Sequence, residues 1–200
     1  DESRSFIVPG NGLEQSFFYE DKENKPAIKF IMISRILRDK GVIEFFDAAR
    51  KVLTLYPKVS FCLYGSFDNA NPNMINLEDL EQYLDSKIYY GGHVDDIRTE
   101  IINSSVVVLP SYREGFSKVL MEAQACSRPV ITSNVPGCRD AIIENLTGYL
   151  IEPKNSDELA EKIILMIENP IQFQAMSRNA YKHAKNCFSV DGAALKHLDI

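Results

Sequence analysis

Short runs of consecutive apolar residues alternate along this chain with longer stretches whose apolar positions recur every three or four residues. The runs KFIMIS at 29–34, VSFCLYG at 59–65, KIYYGG at 87–92, SVVVLP at 105–110, PVITS at 129–133 and GYLIEP at 148–153 predict β-strands. Between the first two, Gly41 to Tyr56 carries Val42, Phe45, Phe46, Ala49, Val52, Leu53 and Tyr56 on one helical stripe, and Pro57 stops it. Further helices are predicted over 77–84, 95–103, 117–126 and 157–168. Ser156 is the expected N-cap of the last of these, with Asp157 and Glu158 favouring its positive end. Pro170 suits the opening of another helix reaching about Cys187, and a terminal helical piece is expected at 190–198.

Continuous apolar strands alternating with amphipathic helices predict an α/β fold: a Rossmann-like parallel sheet with helices on both faces and right-handed crossovers. Ligands of such sheets sit beyond the carboxyl ends of the strands. That rule selects the loops starting at Ser34, Gly65, Gly91, Pro110 and Ser133. Residues 9–27 are polar and turn-rich and form the expected connector, within a junction segment over 1–27; residues 188–200 are assigned to the terminal helix.

Composition narrows the function classes. The 200 residues are 45% hydrophobic and 25% charged, with 20 Phe and Tyr, which suits a globular chain with a sizeable core and excludes disorder. The net charge of −6 disfavours nucleic acid as the main partner, although a local basic pocket is compatible with it. No apolar run approaches the ~20 residues of a membrane span. The opening DESRSFIVPGNG has neither Met nor an apolar leader, so no secretory signal is expected and a cytoplasmic fragment of a longer protein is. Cys62, Cys126, Cys138 and Cys187 are isolated from one another, with no C-x-x-C, and Cys62 falls in a strand-like run; no metal site is expected.

The sequence lacks the P-loop, the G-x-G-x-x-G turn, the G-x-S-x-G elbow and any Asp-x-Asp pair for a divalent ion. What it offers is charge at strand ends. SRILRDKG puts Arg35, Arg38 and Lys40 in one loop, which can hold a phosphate or be ordinary solvated surface. SVVVLP leads into SYREGFSKVLMEA, where Gly115 permits close backbone approach and a helix N-terminus begins at 116–118. Glu114 can accept from sugar hydroxyls or simply stabilise that helix end. Glu122 can do the first or pair with Lys118 at i,i+4.

The Glu114–Glu122 pair in EGFSKVLME resembles the signature of retaining glycosyltransferases of family 4, which have the GT-B fold of two Rossmann-like domains. SRILRDKG resembles their basic phosphate loop. PGNGLE resembles the start of their second domain, and PVITSNVPGCRDAI and NLTGYLIEP resemble the segments after the glutamate motif. The similarity spans about residues 6–188. LPSYREG and VPGCRD are most like bacterial enzymes building capsule, O-antigen or lipid-linked glycans. Two positions depart from the family pattern: Ser117 stands where Gly is common, and Ser127 where a helix-terminating Gly often stands.

The resemblance implies one half of a GT-B fold, the C-terminal nucleotide-sugar-binding domain, with the N-terminal acceptor domain absent from the chain. It implies catalytic roles for Glu114 on the donor sugar and for Arg35 and Lys40 on the donor diphosphate. It implies donor binding by Glu122 at the ribose hydroxyls, by the segment Gly115, Phe116, Ser117 and Val119, and by a nucleobase loop at His93, Val94 and Asp95. The implied donor is a UDP-sugar, with a GDP-sugar as runner-up, and no metal or other cofactor. The implied partners are the protein's own N-terminal domain and a glycan or lipid-linked acceptor, with a membrane surface reached through the missing half at its cytoplasmic face. The alternatives are a GT-B nucleotide-sugar epimerase, a non-catalytic nucleotide-sugar binding module and a flavodoxin-like interaction domain.

Overall fold

A strand with no polar face must be covered on both sides, and the six apolar runs meet that demand by pairing side by side. The computed structural model describes residues 12–23, 26–190 and 192. Its strands are β1 (Lys29–Ile33), β2 (Ser60–Tyr64), β3 (Ile88–Gly92), β4 (Val106–Leu109), β5 (Val130–Ser133) and β6 (Gly148–Ile151). They form one sheet in the order β3-β2-β1-β4-β5-β6, parallel throughout. Every residue of β4 and β5 is buried, whereas β3, at one edge, buries only Ile88. The Rossmann-like parallel sheet read from the sequence is the observed fold.

The helices are α1 (Val42–Leu55), α2 (Leu77–Glu81), α3 (Arg98–Ile102), α4 (Lys118–Ala125), α5 (Ser156–Glu168) and α6 (Pro170–Cys187). Crossovers from β1 to β2 and from β4 to β5 run in opposite directions along the sheet. Right-handed connections therefore put α1 and α4 on opposite faces. α5 packs against α1 and α6 against α4, so both faces are covered. The stripe read from the sequence fills the space beneath α1: Phe45 and Phe46 are fully buried, and Phe45 meets Phe61 of β2 edge to face at 5.8 Å.

Several local expectations are corrected. α5 is capped by Asn155, whose Oδ1 accepts from the Glu158 amide at 3.0 Å; Ser156 is the first helical residue. α2 stops at Glu81, before a turn that ends with Asp85 accepting from the Lys87 and Ile88 amides. α3 begins only at Arg98, where the Asp96 carboxylate accepts from the Arg98 amide at 3.1 Å. The terminal helix over 190–198 lies almost wholly outside the described residues, as do residues 1–11 of the junction segment.

The described part of the connector is fastened to the domain. Leu13 is buried and runs parallel to Ser189; its amide donates to the Phe188 carbonyl at 2.6 Å, and its carbonyl accepts from the Val190 amide at 3.3 Å. Ser127 adopts the left-handed conformation (φ 59°) that ends many helices at glycine. Its hydroxyl donates to the Tyr19 carbonyl at 2.9 Å and accepts from the Asp21 amide at 3.0 Å, which gives a serine a use at that bend. Next to it Arg128, its side chain 6% exposed, meets the 3%-exposed Asp21 at 2.6 Å. The same guanidinium donates to the Ile101 and Ile102 carbonyls at the end of α3.

Removing Arg128 takes the guanidinium away from a buried carboxylate and from two carbonyls of α3. Arg128→Ala is expected to lower unfolding free energy by about 3–5 kcal/mol, measured by urea denaturation; a loss under about 1 kcal/mol would contradict this account of the tie.

Candidate functional site

The strand order places the topological switch between β1 and β4, because the chain leaves these neighbours in opposite directions, and ligands of such sheets bind beyond the carboxyl ends at that point. The two loops above it are SRILRDKG and PSYREGFS, and they touch. Gly41 has φ 79°, and a Cβ there would lie 2.1 Å from the Pro110 carbonyl oxygen, so the close approach requires glycine. The Asp39 carbonyl accepts from the Tyr112 amide at 2.8 Å and from the Ser111 hydroxyl at 3.2 Å. The Tyr112 hydroxyl donates to Glu44 at 2.6 Å, and burial, then Glu44, pushes its pKa up.

This lacing brings Lys40 and Glu114 together. Lys40 Nζ lies 2.7 Å from Glu114 Oε1, with side chains only 16% and 18% exposed. Next to Lys40, Asp39 Oδ1 is buried with no hydrogen-bond partner among the described residues, and the same holds for Glu44 Oε2. The space around the Gly115 Cα is open. Gly137, at φ 78°, supports the loop from below; a Cβ on it would overlap the Gly115 carbonyl at 1.2 Å. Gly137 stands in the VPGCRD segment, but its role as a prop was not readable from its position in the sequence.

The remaining predicted residues fall into distinct settings. Arg35 is exposed and pairs with Asp68 at 2.8 Å, and Arg38 pairs with Asp79 at 3.3 Å, so the three cations of the loop point to three different carboxylates. Ser117 is buried, and its amide already reaches the Gly137 carbonyl at 3.4 Å, so the start of α4 is not wholly free as expected. The Phe116 ring turns toward Phe188, 5.9 Å away edge to face, which leaves only its backbone on the loop. Val119 is half-buried against the core.

Glu122 is 5% exposed and lies 3.3 Å from Lys118, the i,i+4 partner weighed from the sequence. Burial raises its carboxyl pKa, Lys118 opposes the rise, and Asp96 adds to it. The Asp96 influence brings the loop after β3 near Glu122. In that loop His93 is exposed and 3.4 Å from Asp95, while Val94 packs on the core. Sequence reasoning missed Asp39, Glu44 and Asp68, whose partners Arg113, Tyr112 and Arg35 lie far away in the chain, and Asp96, which acts on the distant Glu122. Among the described residues no group of three His, Cys, Asp or Glu is arranged to hold a metal ion.

The family model described as "Glycosyl transferases group 1" matches residues 14–183. An N,N'-diacetylbacillosaminyl-diphospho-undecaprenol alpha-1,3-N-acetylgalactosaminyltransferase of Campylobacter jejuni is 35% identical over 162 residues, covering 81% of this chain and 41% of that protein. The capsular polysaccharide biosynthesis glycosyltransferase CapM of Staphylococcus aureus is 31% identical over 190 residues, 92% of this chain and 47% of CapM. The chain thus spans less than half the length of either relative. Anabaena Alr3699/HepE, solved in complex with UDP, superposes with a TM-score of 0.82 at 21% identity, over 94% of this chain and 55% of that one. The C-terminal domain of the group 1 family protein LpcC from Francisella tularensis superposes with a TM-score of 0.77 at 25% identity, over 89% of this chain and 99% of that one.

The buried carboxyl of Glu122 has a pH signature. A raised folded-state pKa means that its contribution to stability is complete below the unfolded value and is lost as pH rises through the folded value. Glu122→Gln does not titrate. Its stability relative to the native chain should therefore rise as pH increases through the carboxyl range, measured by urea denaturation across a pH series. A difference that stays flat with pH would overturn the assignment.

Proposed function

The chain belongs to the glycosyl transferases of group 1, and from that membership we propose that it is the donor-binding half of a retaining enzyme that moves a sugar from a nucleotide sugar to a glycan or lipid-linked acceptor. The observation that carries the reading is the Lys40–Glu114 pair at the switch between β1 and β4. It unites the two motifs whose resemblance suggested the family. Its relatives in Campylobacter jejuni and Staphylococcus aureus support a role in bacterial surface glycans.

In this reading Lys40 and Arg35 hold the donor diphosphate, Lys40 as a point charge beside the reacting sugar and Arg35 as a fork that leaves Asp68 when phosphate arrives. Glu114 takes hydroxyls of the donor sugar beside the open space at Gly115. Glu122 accepts from the ribose, and burial makes that acceptance selective for a hydroxyl pair that can replace water. Backbone at Gly115, Phe116 and Ser117, with Val119 behind them, lines the phosphates and sugar. His93, Val94 and Asp95 border the nucleobase, next to Glu122 through Asp96.

Transfer then forms the bond from the acceptor oxygen to the anomeric carbon while the bond from that carbon to the β-phosphate oxygen breaks. The departing diphosphate takes the acceptor's hydroxyl proton, on the same face, which retains configuration. The cations stabilise the charge that develops on the leaving group. The nucleotide is UDP, a choice supported by the HepE complex. The acceptor is bound by a further part of the whole protein, a reading supported by this chain's span of less than half of its curated relatives.

UDP at a hundredfold over its dissociation constant should stabilise the chain by about 2.7 kcal/mol in a thermal-shift series, and GDP by less. No stabilisation by any nucleotide or nucleotide sugar would refute a donor domain. Within the site, Glu122→Ala should weaken UDP by about 10- to 100-fold in calorimetry, the loss of a charged acceptor. Glu114→Gln should leave UDP binding within about twofold and remove transfer by the full-length protein by more than about 100-fold. Unimpaired turnover in that variant would exclude Glu114 from the chemistry.

A further inference from the structure

A cavity lies at the opposite pole of the sheet from the loops that follow β1 and β4, where the strands begin. Its volume is about 590 Å³, within the range of small-molecule sites. Lys29 and Ser60 at the heads of β1 and β2, Ser105 before β4 and Arg128 before β5 line it, together with one face of α6. None of Arg35, Lys40, Glu114 or Glu122 reaches it.

Its charge is opposite to that of the chain. Six cations border it against three carboxylates, Glu20, Asp21 and Glu23, in a chain of net charge −6. Asp21 is engaged by Arg128, and Lys29 by Glu100 at 3.7 Å. The other four cations, Lys22, Lys58, Arg178 and Lys182, make no ion pair or hydrogen bond among the described residues. They converge from three parts of the chain: the segment before β1, the turn between α1 and β2, and α6. Arg178 and Lys182 stand at i,i+4 on one helix face, an arrangement of like charges that destabilises an isolated helix. A bound phosphate anion offsets that repulsion.

Between the cations the lining mixes apolar side chains with hydroxyls, those of Ser60, Ser105 and Ser177 among them. Ile28, 49% exposed, is a large aliphatic surface at the cavity, and Ile102 and Tyr181 add to the apolar part of the lining. Forked and point cations beside hydroxyls and an exposed aliphatic patch fit a phosphate monoester or diester carrying a compact organic group. We propose that this pole binds such a phosphate, whether on a soluble metabolite or on a lipid headgroup, at a site separate from the switch between β1 and β4.

The test is a titration of the isotope-labelled full chain with inorganic pyrophosphate, followed through the backbone amides of residues 173–182. Because pyrophosphate also suits the loop cations, it is repeated in Lys40→Ala. The expected result is a saturable shift centred on Arg178 and Lys182 that persists in Lys40→Ala. It should weaken by about tenfold or more in Arg178→Gln with Lys182→Gln, two exposed positions whose neutralisation leaves the fold intact. Flotation with phosphatidylcholine vesicles containing phosphatidylglycerol separates the sources. Flotation that the double variant loses and pyrophosphate displaces identifies a lipid headgroup; shifts without flotation identify a soluble phosphate. The proposal falls if α6 responds to neither probe, or if both responses survive the double variant.

Discussion

The Pro110 carbonyl stands where a side chain on residue 41 would have to be. That exclusion lets the loop after β1 and the loop after β4 close to hydrogen-bonding distance, and the arrangement above the sheet depends on it. With Gly41 in its left-handed turn, α1 starts immediately and Asp39 faces Ser111 and Tyr112. Lys40 is then delivered to Glu114 across 74 positions of sequence. A bulkier residue would push the loops apart and separate the cation from the carboxylate before any ligand arrived. Glycine at 137 acts in the same way from beneath, so the loop bearing Glu114 and Gly115 is pinned by backbone contacts on two sides.

Most of the scaffold was legible because its physics is local. An apolar run of this length is read as a strand, and all six runs became strands of one sheet, with β3 and β6 at its edges. The stripe from Val42 to Val52 had one covered face to find. The errors fell where two side chains compete for a backbone amide. Asn155 and Ser156 are both good caps, and one position decides between them. Asp96 shortens α3 because its carboxylate captures the Arg98 amide. Ser127 could not be read as a left-handed residue from its type, since its use depends on Tyr19 and Asp21, about 106 residues away.

The site was legible in its members and not in its pairings. Sequence places Arg35, Arg38 and Lys40 within six positions, which suggests one basic patch. The fold instead hands each to a different carboxylate, because Asp68 and Asp79 come from the segments that follow β2. Glu122 shows the converse. Its ordinary surface pairing with Lys118 is present, yet its side chain is almost wholly covered, and burial rather than the pair dominates its proton affinity. An i,i+4 spacing alone says nothing about which side of a helix meets the core.

The bridge between Leu13 and Ser189 joins segments 176 positions apart, and it is parallel. Its two hydrogen bonds, to the Phe188 carbonyl and from the Val190 amide, therefore share a pull along the strand direction instead of parting one after the other. A tug on the backbone at Gly12 is carried at once to the end of α6. That helix rests on α4, the helix that bears Glu122. Movement of whatever adjoins this corner of the domain would thus arrive at the candidate site as a displacement of a helix, by a mechanical route that does not cross the sheet.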